Sequence, residues 1–210
     1  MTRKVTIHEN HFRIAIFGSA RLKKGDPRYK LVYNLAKKIA EQKMDIVTGG
    51  GPGLMDAASR GHHAGRLNGS RAHSIGLTIK LPREQHDGFH LDIKKEYSKF
   101  SGRLDEFMRL SNAVIVAPGG IGTLLELLYT WQLVQVKHIC ETPIILLGNH
   151  WQGLLDWIKK EMANKKLMSQ DDFRYIFVVN SVSETMKLLT KVKEDSKKGH
   201  VCRNFSKYKH

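Results

Sequence analysis

The residues of this chain best suited to chemistry sit in three glycine-bearing turns and on one acidic side chain. The turns are Gly18-Ser19-Ala20, Gly49-Gly50-Gly51-Pro52-Gly53 and Pro118-Gly119-Gly120-Ile121-Gly122-Thr123. Glycine admits positive φ and lets an anion come close to bare backbone N–H groups. A helix that starts behind such a turn points its unpaired N–H groups and the positive end of its dipole at the same anion. Thr123 adds a hydroxyl donor, so Pro118, Gly119, Gly120, Gly122 and Thr123 read together as a phosphate cradle. Glu126 follows four residues after Gly122. At ~1.5 Å of rise per residue it lies ~6 Å along the helix from the cradle, about the distance from a sugar 5′-phosphate to its anomeric carbon. Its neighbours Leu124, Leu125, Leu127, Leu128 and Trp131 are apolar. A carboxylate in such company is costly unless it is paired or used. Positive charge growing on a sugar ring is one use for it.

Other phosphate chemistries fit the turns less well. Neither strongly glycine-rich turn has the G-x-G-x-x-G spacing of a dinucleotide site, and no acidic residue closes the strand that ends Thr78-Ile79-Lys80. There is no G-x-x-x-x-G-K-[ST] run, which argues against a Walker-type triphosphatase. A phosphate monoester on a small ligand fits better. The pairs His62-His63 and His86…His90 offer no third ligand at sensible spacing, so no metal is expected. Asp56 opens a helix, where a carboxylate suits the dipole.

The elements that must hold these groups alternate along the chain. Apolar runs at Arg13–Gly18, Asp45–Gly49, Ser74–Ile79, Ala113–Ala117, Pro143–Leu147 and Tyr175–Val179 read as buried strands. Helical patterns follow at Asp26–Gln42, Gly53–Ala64, Phe100–Leu110, Thr123–Val136, Trp151–Met162 and Ser183–Leu189. Lys80 to Lys95 reads as irregular. Fully apolar strands separated by helices give a parallel sheet covered on both faces. The expected fold class is α/β, a Rossmann-like doubly wound parallel sheet with helices on both faces, formed by a single domain over residues 12–190. Ligands in such folds bind beyond the carboxyl ends of the strands, at the point where strand order reverses.

Composition sets outer bounds. The chain has 210 residues, 41% of them hydrophobic, and a net charge of +15 from 35 Lys+Arg against 20 Asp+Glu. Such a charge attracts anions, nucleotides and nucleic acids among them. Residues 191–210 form a basic C-terminal tail, with Lys191, Lys193, Lys197, Lys198, Arg203, Lys207 and Lys209 against Glu194 and Asp195. Cys140 and Cys202 read as ordinary reduced thiols. The polar start, Met1 to His11, lacks a signal peptide's apolar stretch, and no run is long enough to span a membrane. A cytoplasmic protein with no membrane partner is expected.

Gly49 to Met55 (GGGPGLM), then Arg103, then Pro118 to Glu126 (PGGIGTLLE) together resemble the LONELY GUY (LOG) family, once described as "possible lysine decarboxylase". The resemblance runs from about Phe12 to about Leu189, and the stretch Leu81 to Gln85 looks like one subgroup. It implies a Rossmann-like homodimer that cleaves the N-glycosidic bond of nucleoside 5′-monophosphates, of AMP or cytokinin ribotide type, to free base and ribose 5-phosphate. It implies Glu126 and Arg103 as catalytic residues, and the turn at Gly119, Gly120, Gly122 and Thr123 for phosphate. Gly18, Ser19, Gly50, Gly51, Gly53, Met55 and Pro118 complete the expected substrate contacts, with no cofactor. The family often has Arg-Lys where this chain has Arg103-Leu104, and an aromatic residue where Ile121 stands. The helix over residues 123–136 is apolar almost all round and is the expected dimer face. A non-catalytic nucleotide-binding or single-stranded nucleic-acid-binding Rossmann protein is the less favoured alternative, since it gives Glu126 no role beside the cradle. A pyridoxal-phosphate decarboxylase would need a Schiff-base lysine, and no glycine-rich turn carries one.

Overall fold

A computed structural model of the chain describes residues 7, 11–67, 70–80 and 90–198. The Leu81–Gln85 stretch, His86, Cys202 and the tail from residue 199 lie outside the described residues. In chain order the main elements are β1 (Arg13–Phe17), α1 (Pro27–Glu41), β2 (Asp45–Thr48), α2 (Leu54–Gly65), β3 (Ser74–Ile79), β4 (Ile93–Tyr97), α3 (Phe100–Leu110), β5 (Ala113–Val116), α4 (Ile121–Gln135), β6 (Ile144–Leu147), α5 (Gln152–Ile158), β7 (Ile176–Val179) and α6 (Val182–Lys197).

Local sequence explains the helix boundaries. Asp26 caps α1 by accepting a hydrogen bond from the Arg28 N–H (2.8 Å), and Pro27 stands where a helix needs no N–H. Tyr29, Val32, Leu35, Ala36, Ile39 and Ala40 then line one buried face at helical spacing. Ser181 caps α6 through Glu184 N–H. Each strand from β1 to β6, apart from β4, is a short run buried on both sides, as a covered parallel sheet requires.

All seven strands are parallel, in the order β4-β3-β2-β1-β5-β6-β7. The chain winds one way from β1 to β4, then crosses back and winds the other way through β5 to β7. The reversal falls between β1 and β5. Alternate strand residues feed two cores. Ile14, Ile16, Ile46, Ile115 and Ile145 pack under α1, α2 and α6. Ala15, Phe17, Val114, Val116, Ile144 and Leu146 pack under α3, α4 and α5. Helices therefore cover both faces, as the sequence pattern implied.

Three details depart from the sequence reading. β4 starts within the stretch read as irregular, Lys80 to Lys95, and runs on to Tyr97. It is an edge strand whose residues alternate between half-buried Ile93, Lys95 and Tyr97 and exposed Lys94 and Glu96. Only one side of it meets the core, so its composition is polar and the apolar-run signal is missing. α6 continues to Lys197, beyond residue 190 where the tail was expected to start. Lys193 Nζ donates to the Gln42 carbonyl, which ties that last part to α1. Cys140 is disulfide-bonded, not a reduced thiol. Among the described residues no helix is long and apolar enough to cross a membrane.

Candidate active site

The three turns meet where strand order reverses. Ala117 N–H donates to Phe17 O (2.8 Å), Ser19 N–H to Pro118 O (3.0 Å) and Leu54 N–H to Ser19 O (2.8 Å). The first turn is thus stitched to the third on one side and to the start of α2 on the other. Gly50 and Gly53 have φ of +68° and +71°, a region that L side chains rarely enter. A Cβ on Gly53 would lie 2.3 Å from the Ser19 carbonyl oxygen. The second turn is therefore glycine-rich at that position so that two backbones can cross.

The glycines divide by what surrounds them. A Cβ on Gly18 would meet Leu54 Cδ1 at 2.9 Å, and one on Gly50 would meet Thr78 Cγ2 at 2.7 Å. These two serve close packing within the floor. Gly120 and Gly122 have nothing within 4 Å of an added Cβ, so they border open space. Gly119 lies against Thr123, whose Oγ1 would be 2.1 Å from such a Cβ. α4 begins at Gly120 with no side-chain cap hydrogen bond. Its first N–H groups are thus left for an outside acceptor. Pro118 enters this turn, and Thr123 is buried behind it at 4% exposure.

Glu126 stands one turn further along α4, and Arg103 reaches it from the first turn of α3. Arg103 Nη2 donates to Glu126 Oε1 at 3.0 Å. The side chains are 12% and 13% exposed. The Arg103 guanidinium lies 2.9 Å from where a Gly49 Cβ would be and 5.4 Å above the Phe107 ring centroid. Met55 closes over the second turn, its Cε 3.0 Å from the Cβ position of Gly51. Arg103 Nε is buried with no hydrogen-bond partner, so this guanidinium keeps donor capacity for a ligand. Burial raises the Glu126 carboxyl to about 7, and Arg103 offsets that only in part. Burial likewise lowers Arg103, against the pull of Glu126. For both members desolvation outweighs pairing, a pattern that marks functional sites more often than structural ion pairs.

Neighbouring groups are otherwise engaged. Asp56 accepts from Tyr29 OH (2.7 Å) and Arg60 Nε (2.8 Å), so it braces α2 against α1. Tyr129 OH donates to Asp105, joining α4 to α3. Trp151 Nε1 donates to Val116 O (3.2 Å) and braces the end of β5. His62 is buried and hydrogen-bonded to the Met44 carbonyl (2.9 Å), with burial pushing its pKa down to about 4. His63 stacks on His90. Leu104 is buried, and Ile121 is 82% exposed at the mouth of the cradle. Phe107, which the sequence reading did not single out, sits beneath Arg103; their i,i+4 spacing on α3 was the signal that could have found it.

Residues 55–189 match the family model described as "Possible lysine decarboxylase". The chain is 34% identical over 156 residues to the cytokinin riboside 5′-monophosphate phosphoribohydrolase LOG7 of Arabidopsis thaliana, covering 70% of this chain and 67% of the relative. It is 31% identical over 188 residues to the rice (Oryza sativa subsp. japonica) enzyme of the same description, covering 87% and 73%. The chain belongs to the LONELY GUY family. Membership makes it a relative of phosphoribohydrolases. The fold is shared more widely. The molybdenum cofactor binding protein of Rippkaea orientalis matches with a TM-score of 0.64 at 21% identity, covering 87% of this chain and 97% of that one. DNA processing protein A of Helicobacter pylori matches with a TM-score of 0.55 at 16% identity, covering 86% and 80%. Those two likenesses concern the fold alone.

Proposed function

We propose that this LONELY GUY family chain hydrolyses the N-glycosidic bond of nucleoside 5′-monophosphates, releasing free base and ribose 5-phosphate. One observation carries the reading. A buried carboxyl raised to about 7 lies one helical turn past an uncapped, open glycine turn. The turn at Gly119, Gly120, Gly122 and Thr123 takes the phosphate, with Pro118 and Ser19 fixing its backbone. Gly49, Gly51 and Met55 border the sugar and base. Holding the phosphate fixes C1 over Glu126, so binding energy far from the bond is used at the bond. As the base leaves, positive charge spreads over C1 and the ring oxygen, and ionised Glu126 stabilises it. The same carboxylate orients and deprotonates the water that adds to C1. Arg103 holds the carboxylate, and its spare donors balance the phosphate's charge.

The test is incubation of the full chain with a panel of nucleoside 5′-monophosphates, reading free base. Release from AMP or an N6-substituted analogue supports the assignment; no release from any member overturns it. The pH profile follows from Glu126. The carboxyl is neutral below about 7 and cannot stabilise a cation there, so kcat/KM should rise through about pH 7 and level off above. The substrate phosphate ionises near pH ~6, below that limb. An acidic limb at an ordinary carboxylate position would remove Glu126 from the role.

The family reading also includes a homodimer. On α4, Ile121, Leu125, Leu128 and Val136 are 82%, 46%, 43% and 58% exposed and recur at helical spacing, an apolar stripe that one chain leaves uncovered. Light scattering at micromolar concentration should give twice the 23.9 kDa chain mass. Leu125→Glu combined with Leu128→Glu should give one chain mass. A monomeric unmutated chain would remove the dimer from the proposal.

A further inference from the structure

At the opposite end of the sheet from Glu126, three strand starts bring together side chains that the crevice does not use. His11 precedes β1, Asp45 is the first residue of β2, and His73 precedes β3. These three strands are neighbours in the sheet. His11 Nδ1 lies 3.0 Å from Asp45 Oδ2 and 3.2 Å from Oδ1. His73 Nδ1 lies 3.9 Å from Asp45 Oδ1, and one ligand atom from each residue falls within 4.8 Å of the other two. The imidazole rings stand almost parallel, 12° apart in tilt, with centroids 5.7 Å apart.

Ring nitrogens and carboxylate oxygens both present lone pairs. As it stands, His11 is hydrogen-bonded to Asp45 through Nδ1, and a metal ion would take the place of the proton between them. Two imidazoles and one carboxylate form a donor set suited to zinc, whose bonds to nitrogen and oxygen are ~2.0–2.2 Å long. The edge of a tetrahedron of such bonds is about 3.3 Å, close to the His11–Asp45 separation. His73 would need to close on Asp45 by about half an ångström, and the two histidine nitrogens, within 4.8 Å of each other, would need to come to the same edge length.

The surroundings suit a ligand set as well. Ligating carboxylates are usually held by further hydrogen bonds. Here the His73 backbone N–H donates to Asp45 Oδ1 (2.9 Å); the Arg13 guanidinium, with Nε 3.8 Å from Oδ2, is a competing cation that a metal ion must outmatch. Asp45 is 3% exposed, but His11 and His73 are 24% and 18% exposed, which leaves an entry path and a fourth position for water. Hard cations such as calcium and magnesium prefer six or more oxygens and do not fit.

We propose that His11, Asp45 and His73 bind one zinc-class divalent transition-metal ion, which clamps the segment before β1 to β2 and β3. The ion is structural, and the glycosidic site lies at the other end of the strands.

The test is calorimetric titration of the full chain, stripped by chelation, with zinc chloride near pH ~7.5, where histidine is largely neutral. One ion per chain should bind. His11→Gln and His73→Gln should each weaken it by roughly tenfold or more, whereas His63→Gln should not. Zinc at about a hundredfold excess over Kd should raise Tm by roughly 5–10 °C in the unmutated chain only. Circular dichroism checks that each variant is folded. A readout without mutation accompanies these. Paramagnetic Co2+ should broaden the His11 and His73 side-chain resonances of the unmutated chain first. Absence of zinc binding, affinity in both variants equal to that of the unmutated chain, or broadening confined to other histidines overturns the site and leaves a hydrogen bond between His11 and Asp45. None of these outcomes bears on base release, so this proposal and the glycosidic one can fail separately.

Discussion

Glu126→Gln should release free base from AMP about 10²–10⁴-fold more slowly than the unmutated chain, at near-unchanged KM. The substitution keeps the side chain's size and its contact with Arg103, since the amide oxygen can still accept the Nη2 hydrogen bond seen at 3.0 Å. It removes the negative charge in every protonation state. The cradle at Gly119–Thr123 is untouched, so ground-state binding of the phosphate persists. Only the interaction that strengthens as charge develops on the sugar is lost, and that loss falls on kcat. The acidic limb near 7 should vanish from the residual rate as well. Circular dichroism and Tm would check that the buried Arg103 tolerates a neutral partner. A folded variant with near-normal turnover would remove Glu126 from the chemistry.

Gly53→Ala should cost more stability than any other single methyl placed in the crevice. Gly53 has φ +71° and ψ −129°, a combination that any residue with a Cβ occupies only under strain. The added methyl would also sit 2.3 Å from Ser19 O and 2.5 Å from the Ala20 carbonyl carbon. Both are backbone atoms and cannot rotate away. Relieving the clash means parting the first turn from the second, which breaks the Leu54 N–H to Ser19 O hydrogen bond. A loss of about 3 kcal/mol or more is expected, lowering Tm by roughly 6–12 °C. Gly120→Ala is the control. Nothing lies within 4 Å of its Cβ position and its φ is −100°, so Tm should hold within about 2 °C. KM for the nucleotide should nevertheless rise, because the methyl occupies cradle space. Thermal unfolding of both variants, paired with base-release kinetics, checks the contrast. Equal Tm values for the two would refute the crossing-backbone account of Gly53.

The sequence by itself determined the layered architecture and the two ends of the candidate site. Fully apolar strands such as Ala113–Val116, separated by one-sided helices such as α1, have only one good burial solution, a parallel sheet covered on both faces. Glycine spacing marked the turns, and the interval from Gly122 to Glu126 is fixed by helix geometry alone. These are local properties, which is why they can be read along the chain. Tertiary structure decided the rest. Whether Gly18 and Gly50 face a ligand or a neighbouring side chain depends on what packs above them, and the structure packs both. β4 was hidden because an edge strand needs only one apolar side. Arg103 and Glu126 lie 23 residues apart, so their pairing exists only because α3 and α4 share one face of the sheet. His11, Asp45 and His73 are each unremarkable in sequence; they meet because three adjacent parallel strands start side by side. Contacts between strand starts are set by sheet order, and no spacing rule along the chain encodes that order.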